Sequence, residues 1–289
     1  MRVRRVGKEA IAAAVREPWA DPSRRPYVEE ETAWVPVRDG YPCDDDLPER
    51  RPYCGRPFQM IGDTAVVRGR RPTAEEVAAI LAWRRPACVL YLAAIEGVRR
   101  LPAVETLYGE AHPVCHHENG LWYRLNPAEV MYAAGNLEER ALMGRTAQEG
   151  ERVADMFAGI GYFTLPMAAA GANVHAMEIN PVSFGYLAEN IEANGLTGRV
   201  RAECGDCRRL LAGTYDRIVM GHFDAVAFLS EALAHARGGT TIHLHALGDV
   251  ADSARVSAES TGFKVRIATR KVKKYGPHIW HIVHDMVLS

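Results

Sequence analysis

Three carboxylates punctuate this chain at the spacing a nucleotide-binding crevice requires. The first, Asp155, opens the run Asp155-Met156-Phe157-Ala158-Gly159-Ile160-Gly161-Tyr162-Phe163. An apolar pair, Val153-Ala154, precedes it, and a small-residue apolar segment (164–170) follows. That pattern predicts a strand, a glycine turn and a helix N-terminus. The glycines let backbone approach a ligand closely, and the helix start offers free N–H groups. The second acid, Glu178, ends a predicted strand (173–177) in Glu178-Ile179-Asn180-Pro181. About 20 residues past the turn, it is placed to accept both hydroxyls of a ribose. The third, Asp206, follows a predicted strand (200–203) in Cys204-Gly205-Asp206-Cys207. There it can accept a hydrogen bond from an adenine amino group. In this order the three acids predict an S-adenosylmethionine site. Asp155, Gly159 and Gly161 form its floor, with Phe157 and Ala158 in the turn; Phe157 reads equally as core. Glu178, Ile179 and Asn180 lie at the ribose, and Asp206 and Cys207 border the adenine.

The elements that hold these residues alternate strand and helix from Glu151 onward. That predicts a parallel sheet covered on both faces, a Rossmann-like α/β fold. A helix is expected over 182–193, a fourth strand over 215–220, a helix over 225–236 and a fifth strand over 240–246. A terminal antiparallel hairpin is expected from 265–269 and 279–288. Three regions are expected: an N-terminal segment (1–57), a smaller α+β domain (58–145) and the cofactor-binding catalytic domain (146–289). In the middle region, 60–67 reads as one strand or two short ones. Thr73 caps a helix over 74–83 with Glu75 and Glu76 in its first turn. Strands follow at 88–94 and 121–125, then a connecting helix over 136–143. The N-terminal segment is Pro-rich: its Arg- and Ala-rich start reads as helix through Arg16, Asp44-Asp45-Asp46 as a solvated loop, and 34–37 as a short edge strand.

Composition bounds the function classes. The chain has 289 residues, 48% hydrophobic and 25% charged, with a net charge of -1. It offers no global pull toward nucleic acid, so RNA affinity must come from local basic patches. No apolar run is long enough to span a bilayer, so a cytoplasmic protein is expected. Six scattered cysteines do not make a disulfide framework. Cys204 and Cys207 read as incidental, with redox or metal binding the less favoured alternative. His278, His281 and His284 do not share one strand face, and no metal is expected.

The motifs D-M-F-A-G-I-G-Y-F-T-L-P, E-I-N-P and C-G-D-C, in this order, resemble those of the Trm5/TYW2 family of tRNA guanosine-37 modifying enzymes. Gly62-Asp63, residues 105–109, His117-Glu118-Asn119-Gly120, Glu139-Arg140 and residues 272–281 match the family in order, so the resemblance runs from about residue 58 to the end. Gly135-Asn136-Leu137-Glu138-Glu139-Arg140 and Met220-Gly221-His222-Phe223 are similar to the wybutosine-synthesis branch. The methyltransferase branch instead carries P-R-L before the E-R pair and an N-x-P motif after strand four. The resemblance therefore implies transfer of the 3-amino-3-carboxypropyl group of S-adenosylmethionine to C7 of 4-demethylwyosine at position 37 of tRNA(Phe), releasing methylthioadenosine. The alternative is tRNA (guanine37-N1)-methylation; a non-catalytic RNA-binding module and a small-molecule or protein methylase are further rivals.

The same resemblance places Arg140 at the cofactor's carboxylate, where a guanidinium binds bidentately, unless it pairs with Glu138 or Glu139 instead. It puts Gly221 at the cofactor. Ala133 stands where relatives carry Ser, leaving only a backbone contact there. Asn136 either orients the substrate or caps a helix. His222 either positions or deprotonates the base, or is structural. The partner implied is the anticodon loop of tRNA(Phe), bound by a monomer. Arg266, Arg270, Lys271, Lys273 and Lys274, interleaved with Tyr275 and Trp280, can track phosphates and stack on a splayed base. Arg68-Gly69-Arg70-Arg71, Arg84-Arg85 and Arg99-Arg100 are further candidates.

Overall fold

The computed structural model describes residues 1–29, 31–47, 53–132 and 136–289. The chain forms two compact units, Met1–Cys54 and Gly55–Ser289.

In the first unit β1 (Arg2–Gly7), a single turn α1 (Ile11–Ala14), β2 (Tyr27–Glu29), β3 (Thr32–Pro36) and β4 (Asp45–Asp46) build an antiparallel sheet of order β2-β3-β1-β4. Three expectations are corrected here. The Arg-rich start is a strand, because Val3 is fully buried and its backbone pairs with Pro36; tertiary pairing overrides the local helical preference. The segment expected at a sheet edge is interior, and Pro36 is tolerated because it closes the strand. The acidic run is not a free loop. Asp45 pairs with Arg5 at 2.5 and 2.8 Å, Asp46 takes the terminal ammonium at 2.8 Å, and Asp44 accepts the Arg5 N–H at 2.9 Å.

The second unit begins with β5 (Gln59–Ile61), β6 (Thr64–Arg68), α2 (Ala74–Arg84), β7 (Cys88–Glu96) and β8 (Leu101–Tyr108), in sheet order β5-β6-β7-β8. Gly62, at φ +56, makes the turn that splits 60–67 into two strands. Thr73 and Glu76 cap α2 reciprocally, each side chain bonding the other's backbone N–H. A hairpin of β9 (Val114–Glu118) and β10 (Leu121–Leu125) turns at Asn119-Gly120, both at positive φ. Helix α3 (Leu137–Thr146) leads into the large sheet.

That sheet is built from β11 (Arg152–Asp155), α4 (Thr164–Ala169), β12 (Asn173–Glu178), α5 (Pro181–Ala193), β13 (Val200–Cys204), α6 (Cys207–Leu210), β14 (Arg217–Met220), α7 (Leu229–Ala234), β15 (Thr241–Leu247), α8 (Ala251–Ser260), β16 (Val265–Gly276) and β17 (Ile279–Leu288). Its order is β13-β12-β11-β14-β15-β17-β16, the first five parallel and the last two antiparallel. The Rossmann-like α/β fold expected from the alternation is present. Neighbouring residues on one strand enter opposite cores: Val153 and Val219 pack with α4 and α5, while Ala154 and Ile218 pack with α7 and α8. The strand order reverses between β11 and β14, which opens a crevice at their carboxyl ends. Helix α8 had no counterpart in the sequence reading. The helix expected over 225–236 starts as a tighter 3-10 turn (Ala225–Phe228) before α7.

Candidate active site

A cleft of about 1000 Å3 opens at the reversal point, entirely within the second unit. At the top of the roughly 300–1,000 Å3 usual for ligand sites, it has room for more than one small group. One end of it is the glycine turn. Asp155 closes β11 fully buried, its Oδ2 accepting the Thr164 hydroxyl at 2.7 Å, so it anchors the start of α4 from below rather than lining the cleft. Burial pushes its pKa up to about 6. Gly159 and Gly161 sit at φ +59 and +104, and a Cβ on Gly161 would lie 2.8 Å from Leu165. Gly159 and Phe157 line the cleft, whereas Ala158 and Gly161 lie behind it.

Glu178 lines the cleft at the end of β12. Its two oxygens accept the N–H groups of Gly159 and Asn180, each at 2.7 Å, which fixes the carboxylate across the mouth of the turn. Burial raises its pKa. Each oxygen keeps a further lone pair for a hydroxyl. Ile179 lines the cleft; Asn180 instead caps α5, its side chain accepting the Val182 N–H at 3.0 Å. Asp206 caps α6 and holds Arg208 at 2.5 Å, and this bond lowers its pKa. Buried Cys207 borders it, its thiol pushed up to about 12 by burial, so it is a neutral wall and not a thiolate ligand. Cys204 and Cys207 are both free thiols.

Arg140 reaches the cleft from α3, 1% exposed. Its partner is neither Glu138 nor Glu139. Its Nη1 donates to Glu118 of β9 at 2.6 Å, and its guanidinium lies 4.5 Å from the centre of the Tyr162 ring and 5.2 Å from that of Tyr132. Tyr132 also donates to Glu118, at 2.8 Å. Glu139 takes Arg270 of the terminal hairpin instead, at 2.6 and 2.8 Å. Glu118, known from the sequence only as part of a motif, is thus the anchor of the E-R arginine. Asn136 lines the cleft, makes no capping bond, and leaves its Oδ1 buried without a partner. Ala133 lies outside the described residues.

The other end of the cleft is walled by the loop after β14. A Cβ on Gly221 would lie 2.7 Å from the Phe163 ring, so only glycine fits. His222 stacks on Phe157, centroids 5.4 Å apart, and accepts the Asp224 N–H at 3.1 Å; burial, then Arg100, lowers its pKa. Phe223 meets Tyr275 edge-on at 5.2 Å. Four cations expected among RNA contacts, Arg68, Arg99, Arg100 and Lys273, line this cleft instead. Arg68 donates to the Tyr132 carbonyl at 2.8 Å, and Lys273 follows a register shift in β16 that re-aims its side chain. Burial lowers the pKa of both. Arg70 and Arg71 pair with Glu76 and Glu105, so they are less available to phosphates.

Among the described residues no helix is long and apolar enough to cross a membrane. Residues 114–274 match the sequence profile of the TRM5/TYW2 methyltransferase domain. The chain is 34% identical to a tRNA(Phe) (4-demethylwyosine(37)-C(7)) aminocarboxypropyltransferase of Methanocaldococcus jannaschii, over 80% of this chain and 97% of that protein. It also resembles the crystal structure of M. jannaschii TYW2 in complex with AdoMet (31% identity, TM-score 0.66, 81% of this chain and 99% of that one). The crystal structure of Trm5b from Pyrococcus abyssi is similar at 27% identity and a TM-score of 0.75, covering 99% of both chains. On its profile match and on its identity to these relatives, the chain belongs to the TRM5/TYW2 family.

Proposed function

We propose that this chain transfers the 3-amino-3-carboxypropyl group of S-adenosylmethionine to C7 of 4-demethylwyosine at position 37 of tRNA(Phe), releasing methylthioadenosine. The observation that carries this reading is the likeness to the M. jannaschii aminocarboxypropyltransferase across 97% of that protein. The acceptor-end loop agrees with it: Gly221-His222-Phe223 stands where the methylating branch has an Asn-Pro pair.

The residues present fit the donor. The glycine turn brings backbone to the cleft, and Glu178 is held where it can take the ribose hydroxyls. Asp206 and Cys207 border the adenine, with Phe157 as a wall. Asn136 offers an acceptor oxygen to the amino-acid portion. Arg68, Arg140 and Lys273 give that side of the cleft a positive field for its carboxylate. The sulfonium supplies three electrophilic carbons, and the one held in line with the nucleophile, at about 3–3.5 Å, reacts. Residues that seat the amino-acid arm against the acceptor therefore select the product. Tyr275, half exposed at the rim beside Phe223, stacks on the splayed base of the anticodon loop. The protein acts as a monomer in the cytoplasm, and no metal takes part.

The second reading, guanine-N1 methylation, is favoured by the full-length likeness to Trm5b. Incubating tRNA(Phe) that carries 4-demethylwyosine with the chain and S-adenosylmethionine separates them. A mass gain of one aminocarboxypropyl group with release of methylthioadenosine is expected. A gain of one methyl group with release of S-adenosylhomocysteine would overturn the proposal.

A further inference from the structure

Four histidines lie buried on β15 and β17, and they divide into two kinds. His243 and His284 are saturated: His243 bonds Asp285 and Arg217, both at 2.5 Å, and His284 bonds Thr269 and the Val250 N–H at 2.9 and 3.1 Å. His245 and His281 have only each other, Nδ1 to Nε2 at 2.9 Å, with ring centres 5.1 Å apart. Their outer nitrogens, Nε2 of His245 and Nδ1 of His281, are buried without a partner. Buried polar atoms are nearly always bonded, so two orphans on one linked pair point to a proton-handling task.

The pair sits at the acceptor end. His245 lines the cleft and contacts Phe163, the ring against which Gly221 packs. His281 contacts Phe223 at 5.0 Å. Strand β15 lies three places from β12, so His245 stands roughly 14 Å across the sheet from Glu178. The other candidates fit less well. Glu178 and Asp206 are at the donor end. Lys273 is assigned with Arg68 and Arg140 to the donor's carboxylate. His222 already spends Nδ1 on the Asp224 N–H and stacks on the donor-end Phe157.

We propose that the His245–His281 pair accepts the proton that leaves C7 of the acceptor base; this rests on the transferase reading above. As C7 attacks, its π electrons form the C–C bond and the S–C electron pair goes to sulfur as a neutral thioether. The positive charge passes to the alkylated ring. The C7–H bond then breaks, its electrons restore the ring, and the proton moves to His245 Nε2. The shared hydrogen bond passes a proton from His245 Nδ1 to His281 Nε2, and the pair later discharges one proton to solvent. Burial, then His281, His243 and Arg270, keeps His245 neutral. Burial, then Lys273 and Arg270, pushes His281 down to about 4. Such weak bases suffice, because a cationic alkylated ring is a strong acid.

The test uses the full chain, S-adenosylmethionine and tRNA(Phe) carrying the acceptor with hydrogen or deuterium at C7. In His245→Gln turnover is expected to fall about 10²-fold, and a primary isotope effect absent from the wild type emerges because proton loss becomes slow. His281→Gln shows a smaller fall with the same isotope signature, and it serves should His245→Gln not fold. A merely structural role slows turnover without any isotope effect, and that result in both variants overturns the assignment. A further readout needs no turnover: 15N spectra of histidine-labelled protein must show both rings neutral and joined by one hydrogen bond at neutral pH, and a cationic ring there overturns it too. Failure of the wild type to release methylthioadenosine overturns the transferase reading instead.

Discussion

The two ends of the cleft are built on opposite principles. At the donor end, over β11, β12 and β13, the carboxylates are already engaged: Asp155 with Thr164, Glu178 with two backbone N–H groups, Asp206 with Arg208. On the other side, buried atoms wait: His245 Nε2 and His281 Nδ1 have no hydrogen-bond partner. Saturated bonding makes a rigid seat of fixed shape. Open bonding leaves groups whose partner is brought by the reaction. The contrast sets a prefabricated seat at the glycine turn against unspent hydrogen-bonding capacity on the β15–β17 side.

The largest expected effect comes at the boundary between the ends. Arg140→Ala strands Glu118 as an unpaired buried charge and is expected to destabilise the protein by about 3–5 kcal/mol in chemical denaturation. A loss under about 1 kcal/mol would mean that the pair is solvated and the boundary not dry.

Next come the titrations, where the two ends should pull in opposite directions. Folding raises the pKa of Asp155 from 3.8 to about 6. Its contribution is therefore complete below pH 3.8 and is lost as pH rises through about 6, a change of about 3 kcal/mol. Folding lowers the pKa of His281 from 6.5 to about 4. Its contribution is complete above pH 6.5 and is lost as pH falls through about 4, again about 3 kcal/mol. Relative to wild type, Asp155→Asn should gain stability across the rising window and His281→Gln across the falling one. Parallel profiles in thermal melts from pH 4 to 7 would erase the distinction.

Glu178→Ala removes an acceptor for two ribose hydroxyls and loosens the turn. S-adenosylmethionine binding should weaken by about 10²-fold, the equivalent of about 3 kcal/mol for two charge-assisted bonds. Unchanged binding in calorimetry would move the donor out of the glycine turn. The smallest effect is expected at Asn136, whose oxygen bonds nothing within the protein. Asn136→Ala should leave the free energy of unfolding within about 1 kcal/mol of wild type while lowering turnover, and a large fall in stability would show a structural role.

Legibility in sequence followed the same divide. The donor end is local: Asp155 to Asp206 spans consecutive strand–turn–helix units, so glycine spacing and strand-end acids located the turn and Glu178. Even there, Asp155, Ala158, Gly161 and Asn180 support the wall rather than form it, since which side of a turn faces ligand depends on packing. The opposite end is assembled from distant segments. Glu118 meets Arg140 across 22 residues and His245 meets His281 across 36, and no periodicity announces either. Lys273 and Arg68 read as generic basic surface because burial is not visible in residue type. Helix α8 went unread because its Ser- and Ala-rich face carries few large apolar residues. Of the N-terminal strands only β3 is legible, and as an edge; the others are set by pairing with distant partners.

One guanidinium ties the two walls into a single mechanical part. Arg270 of β16 grips Glu139 on α3, the helix that carries Arg140 and follows Asn136, and it also grips Asp285 on β17, which in turn holds His243. The terminal hairpin and the helix that carries Arg140 are therefore clamped to each other at one point, with Arg270 as the shared rivet.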